Sequence, residues 1–362
     1  MQATECSSLP NQSQASSCPP SSSHLPLLHR TQIPSVYKEP FIINHYRKPD
    51  CSFGDCVRYG FVWHNDVWNF WTHFVPLWVW LTWLYALSYQ YDFTDSYYYP
   101  LLCFWFGGCI AALFSSMAHM FGCKSFTVRT VCFMVDYLGI SILFCGGGIS
   151  ALYYQQPLSS PLWKYEWILL TIHVVFSLNA TFFSSLSRFF WEKYRFVIRA
   201  MAFLLPYMTY MIPFTLRFLT CITLGEDCIS ETLPYHFLSI VVTWILFFFF
   251  VSKIPERFAP GKYDIIGQSH TLFHICAVAL TSIQMYMFPI DAEIRKKAIL
   301  KKVTPTLETT LFPYLIVIVV GMIQVGVLGI LVVKRVLISN KGEIYLDVVQ
   351  REHLQVEQVK RD

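Results

Sequence analysis

The chain has 362 residues, of which 54% are apolar and 17% aromatic but only 14% charged, well below the quarter or so usual in soluble domains. With a mean hydropathy of +0.43, that balance excludes a disordered chain or an ordinary water-soluble domain and defines a multi-span membrane protein. The net charge of +4 is small and its Lys and Arg lie between apolar runs instead of forming one stripe, which argues against nucleic acid as a partner and makes charge a report on topology.

Residues 1–35 are rich in Ser, Pro and Gln and have no apolar segment after Met1. They read as a disordered cytoplasmic tail, neither a signal peptide nor a packed core, followed by a cytoplasmic segment over 36–66. Stretches long enough to cross the bilayer, about 20 residues of helix, then occur near 68–89, 98–121, 128–152, 163–185, 197–221, 232–251, 270–289 and 312–333. The fold expected over 67–335 is an all-α integral membrane protein, a seven-helix bundle with an eighth, C-terminal spanning helix. Pro76, Pro206, Pro213 and Pro234 fall inside these stretches and are expected to kink them, which neighbouring helices make tolerable. No internal repeat is visible, so one membrane domain is expected. Residues 336–362 form a tail whose end, 339–362, alternates charge with isolated Ile, Leu and Val; it reads as a solvated segment, with a short surface helix as the other reading.

Positive charge marks alternate connections. Arg30, Lys38, Arg47, Lys48 and Arg58 precede the first span; Lys124 and Arg129 lie at the second connection, Arg188, Lys193 and Arg195 at the fourth, and Lys253, Arg257 and Lys262 at the sixth. The intervening segments 90–97, 153–162 and 222–231 have none. Cytoplasmic connections retain Lys and Arg, so the N-terminus is expected to be cytoplasmic. The segment 290–311 conflicts, because Arg295, Lys296, Lys297, Lys301 and Lys302 would then lie outside, and it leaves the last span less secure than the first seven.

Of the twelve cysteines, Cys103, Cys109, Cys132, Cys145 and Cys276 lie within spans and read as small apolar residues. Cys221 and Cys228 lie on the oxidising side and are candidates for pairing. Cys51 and Cys56 have a spacing that permits a metal site, but no second pair accompanies them, so they read as unpaired thiols. The sequons at Asn11 and Asn179 fall in the cytoplasmic tail and inside a span, where neither is expected to be glycosylated. Tyr89, Tyr91, Tyr97, Tyr98 and Tyr99, with Trp163 and Trp167, crowd the outer side and read as an interfacial belt.

An ionisable residue in a spanning helix needs a partner or a task. Ser115 and His119, four apart, share a helix face at the inner end of the second span. Asp136 lies in the third, Asp66, Asn69 and His73 at the start of the first, and His270 and His274 open the seventh, again four apart. The alternating path puts all of these in the cytoplasmic half of the bilayer. His119, His270 and His274 could supply three nitrogens to a zinc ion with one position open, Asp136 and Ser115 being placed to orient a water or a substrate carbonyl there. The competing reading makes them separate core residues, each hydrogen-bonded to its own neighbour. His173 and His236 have no comparable partners in sequence and read as packing or interface residues.

The runs NDVWNFWTH (65–73), SSMAH (115–119), Asp136-Tyr137-Leu138-Gly139, PERFAPG (255–261) and GQSHTLFH (267–274) resemble the progestin and adipoQ receptor family over about residues 34–335. Tyr46-Arg47 in EPFIINHYR fits as well. Within that family the chain looks like the membrane progestin receptors, the gamma type among them. The resemblance implies a cell-surface steroid receptor giving rapid, non-genomic responses to progestins, associated with oocyte maturation, for which a G protein is a conceivable partner. By analogy with adiponectin receptors it implies zinc ligation by His119, His270 and His274, with Asp136 and Ser115 at the open position. Similar patterns in alkaline ceramidases imply the rival reading, a zinc-dependent lipid amide hydrolase; in a third, the metal is only a brace between spans. Two positions depart from the family's habit: Asp66 where Glu is usual, and His45 where Gly is frequent.

Overall fold

A computed structural model describes residues 25–189, 194–228 and 231–338. Its helices are α1 (Phe53–Tyr59), α2 (Val67–Leu87), α3 (Tyr99–Phe121), α4 (Phe126–Gln155), α5 (Glu166–Leu186), α6 (Arg195–Leu224), α7 (Leu233–Ser252), α8 (Ser269–Ile299) and α9 (Leu311–Ile338). Seven segments, from Ser96–Phe121 to Leu311–Val336, are long and apolar enough to cross a membrane. The last, left in doubt by the charge pattern, has the highest hydropathy, 2.9. Helix α2 stands apart from the seven. It is 21 residues long, but Trp68, Asn69, Trp71, His73, Trp78, Trp80 and Trp83 carry polar atoms that count against it. Two of the indoles find partners: Trp71 Nε1 donates to Gly60 O (2.8 Å) and Trp80 Nε1 to Ser282 Oγ (3.1 Å).

Helix α4 is the hub, packing against α3, α5, α6, α8 and α9, while α2 lies against α3 and α8. The main core runs through this centre, with Trp105, Tyr153, Tyr154, Phe104 and Phe288 fully enclosed. Close approach at α4 depends on small residues: a methyl group on Gly148 would overlap the imidazole of His173, which is pinned by Thr209 Oγ1 (2.7 Å) and Phe144 O (2.8 Å). Local chemistry sets the helix ends. Ser125 Oγ accepts from Val128 N (3.2 Å) to start α4, and Gly225, left-handed at φ +66°, ends α6. Pro76, Pro206 and Pro213 lie inside helices. Pro234 instead occupies the first turn of α7, where its missing N–H costs no helical hydrogen bond.

The N-terminal segment folds under one end of the bundle. Leu27–Leu28 pairs antiparallel with Tyr46–Arg47, and Asp264 accepts from Ile43 N (3.2 Å) and Asn44 N (2.7 Å), joining this layer to the connection before α8. The described structure therefore reaches into the stretch expected to be a tail, from residue 25 on; residues 1–24, like the tail at 339–362, lie outside the described residues. His45 has φ +64°, the left-handed conformation that glycine adopts most readily.

At the opposite end, α8 runs ten residues past the expected limit to Ile299. This extension absorbs part of the charge that conflicted with the alternating pattern. Arg295 donates to Asp227 Oδ2 (2.6 Å), Gln156 O (2.7 Å) and Tyr154 O, while Lys296 donates to Asp95 Oδ2 (3.0 Å) and Tyr98 OH (3.1 Å). Cys221 and Cys228 form a disulfide. Beside it, Asp291, fully buried, accepts from Thr232 Oγ1 (2.7 Å) and Arg217 Nη1 (3.2 Å) and lies 3.0 Å from His236 Nε2. The aromatic belt divides. Tyr89 and Trp167 are exposed, whereas Tyr97 and Tyr98 are buried and hydrogen-bonded to Ala292 O (2.7 Å) and Glu293 Oε1 (2.6 Å).

Candidate metal centre

The site is assembled from helix ends. His119 lies in the last turn of α3, while His270 and His274 fall on the first two turns of α8, whose N-terminal amide at Ser269 donates to the buried Glu256 carboxylate (2.7 Å). Glu256, from the PERFAPG run, thus completes the helix N-terminus with an anion and fixes how α8 enters the bundle. The three imidazoles offer nitrogens within 4.8 Å of one another, with ring centroids 4.5–5.3 Å apart.

Hydrogen bonds fix the outward nitrogens. His119 Nδ1 lies 2.8 Å from Asp66 Oδ1, which also accepts from Asn69 Nδ2 (2.7 Å), while Asp66 Oδ2 accepts from Arg47 Nη2 (2.6 Å). Arg47 also donates to Met120 O (2.8 Å) at the end of α3. Burial disfavours the Asp66 carboxylate, but His119 and Arg47 more than offset this and hold its pKa far below the ordinary carboxylate range. A carboxylate can only accept, so Asp66 Oδ1 facing His119 Nδ1 favours the tautomer with its hydrogen on Nδ1, in which Nε2 keeps a free lone pair. That Nε2 is buried and has no hydrogen-bond partner.

His274 Nδ1 lies 2.8 Å from His73 Nδ1 and 3.5 Å from Thr72 Oγ1, while its Nε2 lies 3.2 Å from His270 Nε2. Tetrahedral zinc with Zn–N about 2.05 Å separates its nitrogens by about 3.3 Å. The orphaned Nε2 of His119 and the facing pair on α8 thus fit a zinc ion, with Asp66 and His73 orienting two ligands from behind.

The remaining predicted residues gather around the triad. Asn69 Oδ1 accepts from Thr271 Oγ1 (2.6 Å), tying α2 to α8. The Asp136 carboxylate has the Ser115 hydroxyl, His119 and Arg188 as its polar neighbours. Arg188, just past α5, was legible in the sequence only as a connection charge; its guanidinium stacks over Phe133 (4.4 Å), whose ring also meets His119 (5.7 Å). Arg47 was similarly visible only as part of a motif. His173 and His236 are held elsewhere and do not join the site.

The match to a model of the Haemolysin-III related family, over residues 61–285, covers more than half of the chain and every residue of this site except Arg47, and the chain belongs to that family. Among its relatives, membrane progestin receptor gamma of Mus musculus is 32% identical over 287 residues, 78% of this chain and 86% of the relative. Membrane progestin receptor gamma-B of Danio rerio is 33% identical over 74% of this chain and 83% of its own length, and membrane progestin receptor delta of Homo sapiens 35% over 75% and 80%. The resemblance read from the motifs is therefore borne out, with gamma and delta types matching at similar identity.

Proposed function

We propose that this chain is a steroid receptor of the cell membrane, responsive to progestins, with its N-terminus in the cytoplasm and a zinc ion held by His119, His270 and His274. The observation that carries the ligand assignment is the similarity to proteins named membrane progestin receptors over about three quarters of the chain. An apolar groove of about 370 Å³ between α5 and α6, bordered by Phe176, Leu205, Met208 and Ile212 with Thr209 and Thr215 as its polar groups, has the volume of a small-ligand site. Rapid signalling, with a role in oocyte maturation and a G protein as relay, extends this reading.

Zinc in the triad would supply Lewis acidity. The residues around it define two separable tasks. Asp66, Asn69, His73 and Arg47 tie α2, α3, α8 and the N-terminal layer to the triad and would make it a brace. Asp136, beside Ser115 and Arg188, is a carboxylate with no part in that bracing, and it is the group on which the rival reading, hydrolysis of a lipid amide, would depend.

Asp136→Asn tests the two, assayed for zinc content, progestin binding and turnover of labelled ceramide in purified protein. A receptor braced by the triad keeps zinc and progestin binding in Asp136→Asn and loses both in His119→Ala. Ceramide turnover by the wild type that disappears in Asp136→Asn would replace this proposal with the hydrolase.

A further inference from the structure

A second group of metal-ligating side chains lies outside the triad, and two of its three members precede the segment matched by the family model. Cys51 sits in the turn before α1, Cys56 within α1, and Cys123 just past the end of α3. Their sulfurs form a nearly equilateral triangle: Cys51 to Cys56 3.5 Å, Cys51 to Cys123 3.5 Å and Cys56 to Cys123 3.6 Å. Cys56 and Cys123 are buried, enclosed with Tyr59, Leu27 and Phe121. Spacing alone pairs Cys51 with Cys56 and stops there; the chain path supplies the third thiol from 67 residues further on.

We propose that Cys51, Cys56 and Cys123 bind one zinc ion, separate from the histidine site, which clamps the N-terminal layer to the end of α3. With Zn–S about 2.3 Å, a tetrahedral site separates its sulfurs by about 3.8 Å and a trigonal planar one by about 4.0 Å. The observed edges lie closer to the tetrahedral value. An ion equidistant from the three would sit about 1 Å out of their plane, leaving a fourth vertex for water.

Binding releases the three thiol protons to solvent, and three thiolates with one dication carry a net charge of −1. Arg47, whose charge acts on both Cys51 and Cys123, offsets that charge. The polypeptide is already drawn together here: Asp50 N donates to Cys123 O (3.0 Å), and Ser52 and Asp55 cap α1 reciprocally. The clamp would also hold Arg47 in place against Met120 O and Asp66, one residue removed from the histidine triad.

The test uses the full chain in lipid nanodiscs, loaded with cobalt(II) as a spectroscopic stand-in for zinc. Thiolate ligation gives an intense near-ultraviolet charge-transfer band that imidazole ligation does not. The band is expected in the wild type and in H119A/H274A, and is expected to vanish in C51S/C56S/C123S. Zinc analysis should fall from two ions per chain to one in each variant. Should the cysteine variant fail to fold, alkylation of the wild type decides: zinc should slow modification of these three thiols by about tenfold or more, reversed by a chelator. No charge-transfer band in the cobalt-loaded wild type, zinc-independent alkylation, or a disulfide between any two of the three would overturn the proposal.

Discussion

Replacing Asp66 by Asn should weaken zinc at the histidine site without dismantling the helices that form it. The carboxylate has three partners: His119 Nδ1 and Asn69 Nδ2 on Oδ1, and Arg47 on Oδ2. Arg47 and Asn69 Nδ2 can only donate. An amide has one acceptor oxygen, so its NH2 must either face Arg47, donor against donor, or turn toward His119. In the second case His119 is driven to protonate Nε2, the nitrogen that would bind metal. Loss of such a partner behind a ligand typically costs 10–100-fold in metal affinity, or about 1.4–2.8 kcal/mol. The assay is competition between purified protein and a chromophoric chelator in the C51S/C56S/C123S background, so that one site titrates, with circular dichroism confirming that helicity persists. Asp66→Glu keeps the charge and should retain affinity. An Asp66→Asn protein that binds zinc as tightly as its parent would refute the assignment of Asp66 as the group that orients His119.

Three further outcomes are expected. Asp291→Ala would strip a buried carboxylate from Arg217 and His236, lowering stability by about 3–5 kcal/mol; thermal unfolding in detergent should show a marked drop, partly recovered by adding Arg217→Met, and an unchanged midpoint would show that the charges are solvated. Gly148→Ala would drive a methyl group into the doubly hydrogen-bonded His173 ring at a cost of about 1–3 kcal/mol, read in the same melt, and a wild-type melt would contradict the packing of α4 on α5. In intact cells an N-terminal tag should resist protease while an epitope in 222–231 is cut, and surface labelling of the N-terminal tag would reverse the orientation.

The spans were legible because uninterrupted apolar runs are a strong signal, and pairs such as Ser115/His119 and His270/His274 were legible because helical spacing places residues four apart on one face. Extents were less so. Helix α8 continues to Ile299 because Arg295 and Lys296 find acidic and carbonyl partners on distant segments, which no local pattern reveals. The same limit hid the third thiol of the cysteine cluster, the stacking of Arg188 over Phe133, and the pairing of Arg47 with Asp66. At the start of α2 the short Asp66 side chain reaches both His119 and Arg47.

Saturation binding of a labelled progestin to the purified chain in nanodiscs, wild type beside H119A/H274A, tests the central claim most directly. Saturable binding by the wild type, displaced by unlabelled progestin, is expected, together with loss of both binding and zinc in the variant. A folded, zinc-replete wild type that shows no saturable progestin binding would contradict that claim.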